Sequence, residues 1–249
     1  MIPFHNARSG GSVIALLAAT TLLCVASSHV SAQASPADDT RASVAVLDFN
    51  VAALRDAASW APLGKAIPRI LMTELGANPD LRIIERERLQ AVLDELKLTA
   101  SAVVDPATAA RVGRLVGARY MVSGSAAIDP RNVLRIDVHG FKVETSVHEY
   151  RESLTGKADD VLDLVAQIGQ KAAKNFDPTP FDAPSGRSSG RAARPTKEGL
   201  RVAMLLGNAI DLQDRRDVDG AKAIVRQALA IAPENPSARA LLASLEGQR

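Results

Sequence analysis

Apolar positions recur along this chain with two periods, and the switches between them predict the order of elements. From Ser43 to Phe49 the apolar residues Val44, Val46 and Phe49 mark a buried strand. Leu63, Ile67, Ile70, Leu71 and Leu75 then fall on one stripe, which predicts a helix over Leu63–Leu75. Pro68 lies in its early turns, and Gly76, Asn78 and Pro79 end it. A short strand at Leu81–Ile84 leads into a helix to about Leu98, with Leu89, Val92, Leu93 and Leu96 on its buried face. Asp105 caps a third helix that has Pro106 in its first position, Val112, Leu115 and Val116 facing inward, and Gly117 as its stop.

The period then changes to two. Arg119–Ile128, Val133–Val143 and Val147–Leu154 read as strands, with a turn at Asp129-Pro130-Arg131-Asn132. Leu134, Ile136 and Val138 alternate with Arg135, Asp137 and His139, so the middle strand has one dry face and one wet face. A helix from about Ala158 to Phe176 follows, turning Leu164, Val165, Ile168 and Phe176 inward. Residues Asp177–Pro195 hold four Pro, two Gly and three Ser without apolar periodicity, which is linker composition. Beyond them the pattern is helical: roughly Thr196–Asp214, Val218–Ile231 and Ser237–Glu246.

The first residues follow neither period. Arg8 precedes a charge-free apolar run from Val13 to Ala26, and Ala32-Gln33-Ala34 gives a small-x-small cleavage site. That is the pattern of a secretory signal peptide over residues 1–34. The run, about 14 residues, is shorter than the roughly 20 a membrane-spanning helix needs. Cys24, the one cysteine, is preceded by Leu23, where a lipid-modified cysteine takes a small residue, so lipidation there is the lesser alternative. Cleavage leaves a chain without a thiol, suited to an oxidising compartment and held by core burial alone.

Composition narrows the function. A formal net charge of +2 with acids and bases interspersed, and 3% aromatic residues, supply neither the basic stripe nor the stacking platform of a nucleic-acid binder. Apart from residues of the leader, the only histidines are His139 and His148, on neighbouring strands. They are two potential metal ligands, but a wet-face strand histidine is far more often simply solvated. The chain carries no HExxH, CxxC or GxxxxGK motif, and Ser123-Gly124-Ser125 lacks the spacing of a nucleophile elbow. No catalytic residue, cofactor or metal ligand is therefore nominated. Glu85-Arg86-Glu87-Arg88 sits where a strand becomes a helix. Acids in a first helical turn and Glu/Arg pairs at helical spacing explain it as a stabilised helix start. Its exposed position makes Glu85, Arg86 and Arg88 candidate partner-binding residues.

Two resemblances add to this reading. Val44-Ala45-Val46-Leu47-Asp48-Phe49, the helix Leu63–Leu75, Leu81-Arg82-Ile83-Ile84-Glu85-Arg86-Glu87-Arg88-Leu89-Gln90, Gly117-Ala118-Arg119-Tyr120 and Val122-Ser123-Gly124-Ser125 occur in that order. Together they resemble the periplasmic domain of the curli secretion protein family, CsgG, over about residues 43–176. The resemblance implies an exported envelope protein that assembles or docks rather than catalyses. Curli channels add two membrane hairpins to this domain, roughly 40 residues, and the chain between Tyr120 and Ala158 has length only for three sheet strands. Residues 196–249 resemble a tetratricopeptide repeat: Ala209, Ala221, Ala228 and Pro233 sit at its small and closing positions. That resemblance implies a peptide groove lined by Ala203, Leu206, Ile210, Gln213 and Asp214. One and a half repeats are too few to stand alone, so the helices are expected to pack on the first domain, another subunit or a partner.

The expected architecture is α+β, a mixed sheet with packed helices (residues 43–176), a linker (177–195) and a small all-α helical-repeat module (196–249). The expected function is non-enzymatic binding or assembly at the periplasm or the periplasmic face of the outer membrane. Its partners would be envelope proteins or further copies of the chain, with membrane association but no spanning segment. The alternatives are a curli-type secretion-channel subunit and an enzyme of unrecognised type.

Overall fold

The computed structural model describes residues 41–98, 105–176 and 197–247, all within one compact unit, Thr40–Arg249. The expected leader with Cys24 and the expected linker lie outside the described residues. In chain order the elements are β1 (Ala42–Val46), β2 (Asn50–Ala53), α1 (Ala57–Trp60), α2 (Leu63–Leu75), β3 (Leu81–Ile83), α3 (Arg86–Glu95), α4 (Pro106–Val116), β4 (Tyr120–Ile128), β5 (Val133–Lys142) and β6 (Val147–Lys157). A single 3-10 turn at Ala158–Asp160 then leads to α5 (Val161–Phe176), α6 (Lys197–Asp214), α7 (Val218–Ile231) and α8 (Pro236–Gly247).

The expected mixed sheet with packed helices is what forms. Its order is β3-β1-β4-β5-β6, with β2 also paired to β4. β1 runs parallel to both β3 and β4, while β4, β5 and β6 form an antiparallel meander. The Asp129 turn closes as predicted: its Oδ1 accepts from the N–H groups of Arg131 and Val133, both at 2.8 Å.

The first strand is shorter than its apolar pattern predicts, and the reason is a proline. Pro68 cannot donate to the carbonyl of Gly64 one turn back. That carbonyl instead accepts the N–H of Phe49 at 2.8 Å. Gly64 lacks the Cβ that would sit 2.7 Å from the Phe49 carbonyl oxygen, so the two backbones can approach. The chain therefore leaves the ladder after Leu47, whose N–H still donates to the Val122 carbonyl at 2.8 Å, and re-enters as β2, alongside Ser125–Ile128 of β4. The apolar pattern does not predict β2, whose residues Asn50–Ala53 alternate only between half-buried and exposed.

Helices cover the two sheet faces unequally. On one face Val44, Val46, Val122, Ile136 and Val138 join α2, α5 and the C-terminal helices in a large core. Gly124 and Gly140 leave room there for the rings of Phe49 and Phe176, which lie against them. On the other face α3 and α4 bury Ala45, Leu47, Met121, Phe141 and Val143 in a smaller core. The helix α4 begins and ends as predicted, with Asp105 accepting from the Thr108 N–H at 2.9 Å and Gly117 at φ 70°. Leu115 corrects the reading, since it is 54% exposed. Gly113 of α4 sits tightly against Val143 and Met121, and two residues further round the helix Leu115 points outward.

The three C-terminal helices share the large core. Val202, Ala203, Leu206, Ala209, Ile210, Val225 and Leu241 are all buried in it. α2 lies between the sheet and these helices, touching α5 on one side and α6 and α8 on the other. At Gly207 a Cβ would fall 2.0 Å from the Pro62 carbonyl oxygen, so only glycine lets α6 come this close. No helix among the described residues is long and apolar enough to cross a membrane.

Candidate functional site

The residues nominated from sequence as two separate binding sets meet each other. Arg86, at the start of α3, reaches Asp214 at the end of α6 through Nη1–Oδ1 (2.6 Å) and Nη2–Oδ2 (3.0 Å). The same guanidinium holds Asp48, just beyond β1, through Nε–Oδ1 (3.3 Å) and Nη2–Oδ2 (2.9 Å). Lys65 of α2 binds Asp211 at 2.7 Å and Asp214 at 2.8 Å, and the Gln213 amide donates to Glu87 at 2.9 Å. The Arg86 side chain is 10% exposed. Burial opposes its charge, but the two carboxylates overcome this and raise its pKa above the ordinary value. Burial likewise opposes ionisation of Asp214, yet Arg86 and Lys65 hold its carboxyl below the usual range. Arg69 lies beside this cluster. Burial pulls its guanidinium below the ordinary value, with Glu87 opposing and Arg86 adding to the effect, and its buried Nε has no hydrogen-bond partner among the described residues.

This arrangement fastens the C-terminal helices to the carboxyl ends of β1 and β3. It also corrects the expected peptide groove. Ala203, Leu206 and Ile210 are fully buried, because the face of α6 assigned to a partner packs in the protein's own core. Gln213 and Asp214 are engaged by Glu87 and Arg86. Of the strand-to-helix set Arg86 is buried, while Glu85 and Arg88 remain exposed. Sequence reading missed Asp48, Lys65 and Asp211, whose partners are distant in the chain.

A different surface is open. Beyond the reach of α3 and α4, the second face of β4–β6 presents His139 and Arg151 in one cross-strand row, with Ser123 buried at its β4 end, and Ser125, Asp137 and Ser153 in the next. A third row, Ala127, Arg135 and Thr155, ends the sheet, with Ala52 of β2 opposite Ala127. This is the wet face that the alternation in β5 predicts. Asp137 is bound by Arg135 (Nε–Oδ1 3.0 Å, Nη2–Oδ1 2.8 Å) and by the Ser153 hydroxyl. Arg135 keeps the Asp137 carboxyl below the usual range. His139 and His148 stand 6.0 Å apart between ring centroids, and the His148 ring lies tilted against Phe141 at 4.4 Å. Burial and the nearby Arg151 guanidinium lower both imidazole pKa values. Among the described residues no three His, Cys, Asp or Glu side chains gather in a way that could hold a metal ion.

Residues 25–133 match the family model described as the curli production assembly/transport component CsgG, a stretch that ends at the first residue of β5. No curated protein matches the chain by sequence. Among solved structures, the chain is similar to the LpoB C-terminal domain from Salmonella enterica (15% identity, TM-score 0.34, covering 47% of this chain and 84% of that one). It is also similar to LpoB from Escherichia coli (15%, 0.38, 63% and 87%) and to a PelC dodecamer from Paraburkholderia phytofirmans (15%, 0.35, 55% and 91%).

Proposed function

We propose that this chain, which carries a CsgG-family region, is an exported cell-envelope protein that binds and assembles other proteins without catalysing a reaction. One observation carries the reading: the sheet is closed by helices on one face, while on the other α3 and α4 cover one end and the remainder of β4–β6 stays open and mostly polar. A rigid sheet whose exposed face carries cross-strand rows of Ser, Arg, Asp and His offers many fixed hydrogen-bond groups to a protein surface. The C-terminal helices contribute rigidity rather than a groove, since their inward face is used to complete the core. The compartment that suits this reading is the periplasm or the periplasmic face of the outer membrane, reached through the leader read over residues 1–34.

Cell fractionation with N-terminal sequencing tests export. A photo-crosslinking residue at Arg151, on the open face, is expected to capture a protein in the envelope fraction, whereas the same residue at Gln227, exposed on α7, is not. Intact chain in the cytosol with Met1–Ala34 attached, or equal capture from both positions, defeats the reading.

A further inference from the structure

A β-bulge between β5 and β6 gathers three basic side chains on the open face. His139 lies directly opposite Arg151, a pairing that starts the two side chains about 5 Å apart at Cβ. The ladder continues with Gly140 opposite Tyr150 and then Phe141 opposite His148, so Glu149 is the extra residue of the bulge. Simple alternation from Arg151 would set Glu149 opposite Phe141. The bulge sets His148 there instead, its ring 6.0 Å from that of His139. Arg151 lowers the pKa of both imidazoles, after burial, so its charge reaches each ring, with Asp137 opposing more weakly at His139.

None of the three is paired with an acid. Arg151 is exposed and makes no hydrogen bond or ion pair among the described residues. The neighbouring acids are engaged elsewhere. Asp137 is held by Arg135 and the Ser153 hydroxyl, Glu149 by Lys142 at 3.9 Å, and Glu152, on the other face, by Lys171. The Nδ1 atoms of His139 and His148 are buried without a partner, and a buried N–H with no acceptor is avoided. The proton of each neutral ring therefore sits on Nε2, the nitrogen left to face solvent. Two imidazole N–H groups and one guanidinium thus offer donors, and no acceptor, from one patch of paired strands.

We propose that His139, His148 and Arg151 form a binding site for a carboxylate, supplied by an acidic segment of a partner protein. This rests on the reading of the open face as a protein-binding surface, and it names the chemistry that surface takes. The planar fork of a guanidinium matches the two oxygens of a carboxylate, and the imidazoles add donors beside it. A metal cation is disfavoured at the same spot, since Arg151 repels it. A carboxylate seated there supplies the counter-charge that the rings lack. Its arrival raises both imidazole pKa values, and protonation of the rings in turn tightens its binding.

Hexaglutamate added to the full chain, followed by NMR of the imidazole C–H signals and by calorimetry, tests the site. At saturation both imidazole pKa values are expected to rise by about half a unit or more. Arg151→Gln is expected to weaken binding about tenfold or more and to abolish the rise that the peptide causes. The double variant His139→Gln/His148→Gln is expected to weaken binding as well, with circular dichroism checking that the sheet is intact. A peptide that leaves both imidazoles of the wild type unmoved overturns the proposal, whatever the variants do. So does binding that Arg151→Gln leaves unchanged. Inorganic phosphate that moves the imidazoles more strongly than the peptide, at equal concentration, overturns the assignment to a protein carboxylate. If the site fails while a photo-crosslinking residue at Thr155, on the same face, still captures an envelope protein, the broader reading of the function stands without it.

Discussion

Replacing Arg86 by methionine keeps most of the side chain's length and removes the charge that joins β1, α3 and α6. Asp48 is left without the guanidinium that binds it through two nitrogens, whereas Asp214 keeps Lys65 at 2.8 Å. Removing one partner of a fully buried pair costs about 3–5 kcal/mol. Here the carboxylates keep side-chain exposures of 23% and 27%, so water recovers part of the loss and about 2–3 kcal/mol is the better figure. For a folded unit of this size that corresponds to a melting temperature lower by roughly 4–12 °C. Thermal unfolding followed by circular dichroism measures it. The double variant Arg86→Met/Asp214→Asn should lose less than the sum of the single losses, because the second change removes a carboxylate already deprived of a partner. The pH dependence has a definite sign. Asp214 has a folded pKa below its unfolded one, so its contribution is complete above about pH 4 and is lost as pH falls through the lower folded value. Acid unfolding of Arg86→Met should therefore be less steep than that of the wild type. If Arg86→Met melts with the wild type and titrates like it, the ion pairs are ornamental and the fastening argument fails.

Leu206→Ala should cost about 2–5 kcal/mol, and the whole chain should unfold in one transition, since α6 shares the large core; a separate early transition in urea would show independent helices. Gly124→Val should cost about 2 kcal/mol or more in urea unfolding, because even a Cβ would sit 2.4 Å from the Phe49 ring and 2.6 Å from the Asp137 carbonyl oxygen. The imidazoles of His139 and His148 should titrate by NMR below the ordinary histidine value, and Arg151→Ala should raise both. Since the folded values are the lower ones, the contribution of these histidines to stability is present above about pH 6.5 and is lost as pH falls through them. Gly117→Ala should cost about 1 kcal/mol in the same urea experiment, because the residue sits at φ 70°.

The elements with strong internal periodicity were legible from sequence, and the interruptions were not. The stripe of α2, the Asp105 cap, the Gly117 stop and the β4–β6 meander all follow from spacing a few residues long. The break after β1 depends on Pro68 freeing the Gly64 carbonyl for the N–H of Phe49, a contact that no local window contains. Alternation in β5 announced a wet face, and that face is the surface left open. The groove expected on α6 failed for a physical reason: small residues at Ala203 and Ala209 allow close helix packing, but they do not say whose helix arrives. It is α2 of the same chain. The Arg86–Asp214 pair spans 128 positions, and single charges that far apart carry no mutual signal in one sequence.

Because α6–α8 complete the core around α2, the sheet and helices β1–α5 cannot reach their final packing until the last fifty or so residues have joined them. A chain made, or threaded through a membrane, from its N-terminus therefore keeps the side of α2 that meets α6 and α8 uncovered until its tail emerges. Premature stop codons anywhere in α6–α8 should then release products that aggregate or are degraded, rather than a shortened but serviceable sheet domain.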